Sequence, residues 1–146
     1  MPLPPLQHWT WQGEEGIFAV GYRHQPSEGT GAPVLLVHGF GASSDHWRAN
    51  IAPLAQQQPV WALDLLGFGS SDKPRSRLAD EPQAPGSVRY CFDLWAQQVA
   101  DFASQVIQPE QPLQLVGNSI GGIVTLRAAQ LLSQRGQAPA LSLIHI

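Results

Sequence analysis

Short, wholly apolar runs alternate along the chain with longer stretches in which apolar residues recur every three or four positions. The short runs predict strands that are buried on both faces, as the central strands of a parallel sheet are. These runs cover residues 34–37, 60–63 and 113–116. The stretches with helical spacing follow them at residues 44–55, 88–107 and 122–132. Ser44 or Asp45 is expected to cap the first of these helices.

Two further strands are predicted ahead of this alternation. Residues 9–11 and 17–24 flank a turn at residues 12–16 that contains Gly and Glu, the arrangement of an antiparallel hairpin. The predicted order is β-β-β-α-β-α-β-α. It implies an α/β fold with a mostly parallel sheet, helices on both faces and the hairpin at one edge. Residues 65–87, dense in Gly, Pro, Ser and Asp, are expected to form a loop.

The composition is that of a folded domain, because 43% of the 146 residues are hydrophobic and only 13% are charged. The net charge of −3, without a basic run, argues against a nucleic-acid partner. The sequence contains no apolar stretch of the roughly 20 residues that a membrane span needs, and its first residues lack the features of a signal peptide. We therefore expect a cytoplasmic protein without a transmembrane segment.

Cysteine and histidine spacing gives no indication of a metal site, and no cofactor-binding glycine pattern is present, so neither a metal nor a cofactor is expected. Cys91 is the only cysteine, which excludes an internal disulfide. Its position at the start of a helical stretch predicts a small buried residue.

A Gly-x-Ser-x-Gly pentapeptide joins the third central strand to the helix that follows it. It consists of Gly117, Asn118, Ser119, Ile120 and Gly121. In this setting the pattern indicates a nucleophile elbow, a turn so tight that the serine hydroxyl projects from the top of the sheet. Glycines are expected where any side chain would collide with the strand or the helix. A phosphate-binding loop is excluded, because Ile123 stands where that motif needs Lys. The remaining alternative is that Ser119 only caps the helix.

Two more segments follow predicted strands in the same way. Residues 37–41 read Val-His-Gly-Phe-Gly, and residues 62–74 read Ala-Leu-Asp-Leu-Leu-Gly-Phe-Gly-Ser-Ser-Asp-Lys-Pro. Together with the elbow, and in this order, they resemble the N-terminal half of the α/β-hydrolase family over roughly residues 10–140. The resemblance implies that residues 1–140 are a partial α/β-hydrolase domain, truncated so that the cap and the C-terminal half are absent.

The same resemblance implies a serine hydrolase that acts on small-molecule carboxylic esters. Ser119 would be the nucleophile, and the backbone N–H groups of Ile120 and Phe40 would hold the oxyanion. Gly39 and Phe40 would line the substrate site. A Ser at the elbow argues against the haloalkane dehalogenase and epoxide hydrolase branches, which need a carboxylate nucleophile there.

Three other polar residues could be mistaken for catalytic or metal-binding groups. The resemblance implies that His38 shapes the oxyanion loop and that Asp64 holds the turn at residues 67–69. His38 is not expected to be the general base, since the family's triad places the His after the Ser. His46, beside Asp45, could suggest a metal site or a dyad, but surface capping at a helix start is favoured.

Residues 42–51 and 64–74 resemble in particular the pheophytinase and chlorophyll-dephytylase branch of plants and cyanobacteria. That branch implies a bulky, apolar substrate such as a phytyl ester, and with it peripheral membrane association. A different class of function stays open, because some relatives of this fold are ligand receptors with slow or absent turnover. The sequence does not indicate an oligomeric state.

Two members of the catalytic triad have no candidate in this chain. The family needs an acid and then a His after the Ser, but no Asp or Glu follows Ser119 and the only His is His145. Residues 141–146 match one reading frame of the transposase mosaic end used in sequencing adapters. We therefore expect this segment to be adapter-derived, His145 not to be catalytic, and the chain as given to be inactive. The alternative is a natural short strand.

Overall fold

The computed structural model describes residues 2–137 in full and residues 140–144 as backbone. The strands are β1 (Gln7–Gly13), β2 (Gly16–Gln25), β3 (Val34–Val37), β4 (Val60–Leu63), β5 (Arg75–Ser76), β6 (Ser87–Val88), β7 (Gln114–Asn118) and β8 (Ala140–Ile144). The α-helices are α1 (Ile51–Ala55), α2 (Phe92–Phe102) and α3 (Ile120–Gln134). A 3-10 turn at Ser44–Trp47 precedes α1, and a π-turn at Ala103–Ile107 follows α2.

Six of the strands form one sheet in the order β1-β2-β4-β3-β7-β8. The pairs β3–β4, β3–β7 and β7–β8 are parallel, whereas β2 runs antiparallel to both β1 and β4. The predicted mostly parallel sheet with an antiparallel hairpin at its edge is confirmed. The expected adapter origin of residues 141–146 concerns the gene and stays a prediction. His145 lies outside the described residues.

The wholly apolar sequence of β3 follows from its central place in the sheet. Side chains alternate between the two faces of a strand. Leu35 and Val37 therefore belong to the core under α2 and α3, whereas Val34 and Leu36 belong to the core under α1. All four are at most 1% exposed. Helices on both faces, as predicted, explain why neither face of this strand carries a polar residue.

The register of the parallel strands brings three segments to one edge of the sheet. Val37 lies opposite Leu63 of β4 on one side and opposite Gly117 of β7 on the other. The three strands therefore end at the same level, and the residues that follow them meet there. These residues are His38, Asp64 and Ser119, and they define the region where the candidate chemistry is found.

The first predicted helix is divided, and its expected cap is wrong. The Ser43 hydroxyl accepts the Asp45 N–H at 3.2 Å and so caps the 3-10 turn, in place of Ser44 or Asp45. Pro53 explains the division, because it has no N–H to donate into a helix that would continue from the turn. It is tolerated only because α1 restarts at Ile51, which places Pro53 in the first turn.

The second predicted helix begins later than residue 88, because Val88 belongs to β6, which pairs with β5 inside the predicted loop. Cys91 takes the N-cap position of α2 and is exposed, so the prediction that it is buried is wrong. A cap residue has extended backbone, which turns its side chain away from the helix packing face. Within residues 2–137 and 140–144, none of the helices has the length and apolar character needed to cross a membrane.

Candidate active site

Ser119 lies between β7 and α3 in a backbone conformation that residues other than glycine rarely adopt, with φ 57° and ψ −125°. Such a conformation is strained and persists only where its surroundings enforce it. The residue is exposed, and its side chain makes no capping hydrogen bond to α3. The alternative that Ser119 serves only as a helix cap is therefore wrong, and the hydroxyl is presented to solvent.

Two glycines enforce this turn by allowing main chains to approach closely. A Cβ atom on Gly117 would overlap the carbonyl group of Gly121 in the first turn of α3. A Cβ atom on Gly121 would overlap the carbonyl oxygen of Val37 and lie 2.6 Å from that of His38. The collisions anticipated from the sequence are thus found, one with the helix and one with the neighbouring strand. The elbow is held between β3 and α3.

The loop after β3 contacts the elbow directly. A Cβ atom on Gly39 would lie 3.1 Å from Ser119 Cβ and 3.7 Å from Ser119 Oγ. The loop then turns back, with the Ala42 N–H donating to the Gly39 carbonyl at 3.2 Å. Phe40 is 76% exposed, and its ring centroid lies 5.5 Å from that of Phe68. Gly39 and Ser119 are therefore neighbours, and Phe40 follows Gly39 directly in the chain.

His38 is fully buried, and both of its ring nitrogens are engaged. Nε2 accepts the Leu65 N–H at 3.0 Å, which leaves Nδ1 to donate to the Gly39 carbonyl at 2.7 Å. Burial lowers the pKa of the imidazole, and this outweighs the opposing effect of the Gly39 carbonyl. A neutral ring with no free nitrogen cannot take a proton from Ser119. Its contacts instead join the loop after β3 to the end of β4.

Asp64 is 1% exposed and binds the two loops that border the site. Its Oδ1 accepts the Ser44 N–H at 2.6 Å, and its Oδ2 accepts the Ser70 N–H at 3.0 Å and the Ser70 hydroxyl at 2.8 Å. Its carbonyl oxygen accepts the Ser71 hydroxyl at 2.6 Å and Gln98 Nε2 at 3.1 Å. These contacts brace the turn after β4 and connect it to the loop after β3.

Gln98 is a contributor to this scaffold that the sequence analysis missed. Its side chain is fully buried on α2, and its Oε1 accepts the Leu66 N–H at 2.9 Å. Trp95, one turn earlier, donates from Nε1 to the Leu66 carbonyl at 2.9 Å. A sequence signal existed, because Gln98 is a polar residue in the apolar stripe of α2, four positions after Leu94 and four before Phe102.

His46 lies next to the elbow rather than at a helix cap, so its predicted capping role is wrong. Asn118 Nδ2 lies 3.4 Å from His46 Nε2. The neighbouring Asp45 forms an ion pair with Arg23 at 2.7 Å and not a dyad with the imidazole. Among the residues whose side chains are described, no group of three or more His, Cys, Asp or Glu could hold a metal ion. The contact joins residues 72 positions apart, so no local sequence signal could have revealed it.

Residues 32–142 match the sequence model of the alpha/beta hydrolase fold. The chain belongs to the alpha/beta hydrolase family. An uncharacterized protein of Mycobacterium tuberculosis is 36% identical over 131 residues, which is 90% of this chain and 32% of that protein. The chloroplastic pheophytinase of Arabidopsis thaliana is 33% identical over 140 residues, covering 82% of this chain and 28% of the relative.

The backbone of this chain also superposes on solved structures. A bacterial membrane phospholipase A, described as a virulence factor, superposes with a TM-score of 0.71 at 32% identity, over 97% of this chain and 40% of that one. The chain therefore spans about a third of the curated relatives named above and two fifths of this structure. Its strands and helices are those that carry the elbow and the loop after β3.

Proposed function

We propose that this chain is the nucleophile-bearing part of a serine hydrolase that acts on carboxylic esters. The observation that carries the proposal is the strained, exposed Ser119, with φ 57°, between a parallel strand and a helix. The loop at Gly39 approaches this residue closely, since a Cβ atom on Gly39 would lie 3.7 Å from Ser119 Oγ. This combination supports acyl transfer, which needs a projecting nucleophile and preorganised donors.

In the proposed reaction, Ser119 Oγ adds to the ester carbonyl carbon while its proton passes to a general base. The negative charge that develops on the carbonyl oxygen is stabilised by the N–H groups of Ile120 and Phe40. Collapse of this intermediate breaks the bond to the alcohol, which leaves with the proton, and the acyl group stays on Ser119. Water then adds in the same way and releases the carboxylic acid.

The general base and its carboxylate partner are proposed to come from a part of the protein outside residues 1–146. His38 cannot act because both of its nitrogens are engaged. In the part of the chain with described side chains, no hydrogen bond reaches Ser119 Oγ from a His. A serine without such a base is a poor nucleophile. Residues 1–146 alone are therefore proposed to be inactive.

The proposed substrate is an ester with a bulky apolar group, such as a phytyl ester of a chlorophyll derivative. Phe40 supports this, because it follows Gly39 in the loop that approaches Ser119, and a phenyl ring that is 76% exposed offers apolar surface to a ligand. The ring of Phe68 extends that surface. The similarity to the Arabidopsis pheophytinase supports the choice of alcohol.

The test compares hydrolysis of a phytyl ester and of a short p-nitrophenyl ester by the full-length protein, its Ser119→Ala variant and residues 1–146. We expect kcat/KM to favour the phytyl ester, and Ser119→Ala to lose at least about 10³-fold of the activity. Residues 1–146 should give no steady turnover. Hydrolysis that survives the loss of Ser119 would overturn the assignment of the nucleophile, and preference for the short ester would overturn the substrate class.

A further inference from the structure

The oxyanion loop is held at its downstream end by the 3-10 turn Ser44–Trp47. One anchor is the Ser44 N–H, which donates to Asp64 at the end of β4 at 2.6 Å. A second is the ion pair from Asp45 to Arg23 of β2 at 2.7 Å. Both anchors fasten the loop to strands that do not carry the nucleophile. Neither of them fixes the loop relative to the elbow.

His46 supplies the anchor to the elbow. Its Nε2 lies 3.4 Å from Nδ2 of Asn118, the residue directly before Ser119. At the other end of the loop, a Cβ atom on Gly39 would lie 3.1 Å from the Asn118 carbonyl oxygen. The loop therefore contacts Asn118 at both of its ends, through the backbone at Gly39 and through the side chain at His46. The segment between these contacts contains Phe40.

Among the described residues, the side chain of Asn118 has one hydrogen-bond partner, His46. Its Nδ2 lies 3.4 Å from His46 Nε2, an imidazole nitrogen that can accept one of the amide hydrogens. Its Oδ1 is buried and has no hydrogen-bond partner among the described residues. A buried polar atom without a partner disfavours the conformation that contains it. Without His46, nothing in the described structure would hold the Asn118 amide in this orientation.

We propose that His46 is a positioning residue, whose hydrogen bond to Asn118 fixes the oxyanion loop relative to the elbow. The inference rests on the proposed function. The two oxyanion donors stand on different segments, with Phe40 on the loop and Ile120 on the elbow. Their separation matters most when charge has developed on the carbonyl oxygen, so a shifted loop should lower kcat by a larger factor than it raises KM.

The expected size of the effect is moderate. A displacement of about 1 Å in an active site can cost about a hundredfold in rate. The loop keeps its contacts at Gly39 and Asp64 when His46 is replaced, so we expect a loss in kcat of about tenfold. His46→Gln should recover most of this rate, because its amide oxygen can accept the Asn118 Nδ2–H.

The experiment measures kcat and KM of the full-length protein on one apolar ester for His46→Ala, His46→Gln, Asn118→Ala and the double alanine variant. Arg48→Ala is the matched control. Arg48 is exposed just after the same turn, and among the described residues its side chain makes a single hydrogen bond, to the Asp45 carbonyl at 3.4 Å. We expect both single alanine variants to lose about tenfold in kcat, and the double variant to lose no more. Arg48→Ala should retain the parent kcat.

Ser119→Ala on the same ester separates the two proposals. If Ser119→Ala abolishes turnover but His46→Ala keeps the parent kcat, the positioning role is overturned and the serine hydrolase stands. Losses that multiply in the double variant, or a His46→Gln variant no better than His46→Ala, would also overturn the positioning role. If Ser119→Ala retains turnover, the proposed function itself fails.

Discussion

Gly121 in the first turn of α3 faces the carbonyl oxygen of Val37 so closely that no Cβ atom fits between them. This approach seats the helix directly on the end of β3. It explains how the turn at Ser119 can be kept in a strained conformation, because the strand before it and the helix after it are both fixed against the same neighbour.

Gly121→Ala should therefore destabilise the protein. On helix propensity alone this change would stabilise by about 1 kcal/mol, whereas a steric overlap costs about 1–3 kcal/mol or more. The sign of the change in free energy of unfolding decides between the two effects. Urea denaturation measures it, with Ile123→Ala, 49% exposed on the same helix, as the control that should change little. Stabilisation by Gly121→Ala would contradict the close approach.

Asp64→Asn should destabilise the protein strongly, although it hardly changes the size of the side chain. The amide would place an N–H₂ group where the carboxylate now accepts from Ser44 and Ser70. Loss of such bonds to a buried charged group costs about 3 kcal/mol. Thermal or urea unfolding gives the value, and Asp80→Asn on the exposed part of the 65–87 loop should cost almost nothing. Equal effects of the two substitutions would argue against a bracing role for Asp64.

Gln98→Leu should destabilise the protein although it makes the buried face of α2 more apolar. The Leu66 N–H would lose its partner in the interior and the Asp64 carbonyl would lose one of two, keeping the Ser71 hydroxyl, at a cost of about 1–3 kcal/mol. Gln97→Leu, at the adjacent and less buried position, is the control. A neutral or stabilising Gln98→Leu would show that these two bonds do not contribute.

Stability should decrease in mild acid. Burial lowers the pKa of His38 and of His24 below the ordinary value of 6.5. As pH falls through that value, these histidines become protonated in the unfolded chain but stay neutral in the folded protein. The free energy of unfolding therefore falls until the lowered pKa values are reached. Urea titrations at about pH 7.5 and about pH 5.5 test this. His38→Gln should flatten the dependence, and an unchanged slope would contradict the assignment to His38.

The sheet could be predicted from the sequence because its central strands are apolar on both faces. The predicted bounds of β3 and β4 agree with the structure, since a proline precedes each strand and a polar residue, His38 or Asp64, follows it. The division of the helix after β3 into a 3-10 turn and α1 could not be predicted from the apolar spacing. Its apolar spacing is regular, but Pro53 forces a new start, and spacing alone does not report that interruption.

The elbow is a local feature, so its position and the need for its glycines could be predicted from five consecutive residues. The contacts around it are not local. Gln98 reaches Leu66 across 32 positions, and His46 reaches Asn118 across 72. Such pairings depend on how the strands are ordered in the sheet, which a pattern of apolar residues does not specify. Residue roles that depend on one loop meeting another therefore required the structure.

The central claim is that Ser119 is the nucleophile, and trapping a covalent adduct tests it most directly. A fluorophosphonate reacts with an activated serine hydroxyl, loses fluoride and leaves a stable phosphonyl ester, which peptide mass spectrometry can locate. We expect one adduct per molecule of the full-length protein, on the peptide that contains Ser119, and none in Ser119→Ala. An adduct on a different residue, or ester hydrolysis by a protein that remains unlabelled, would contradict the account.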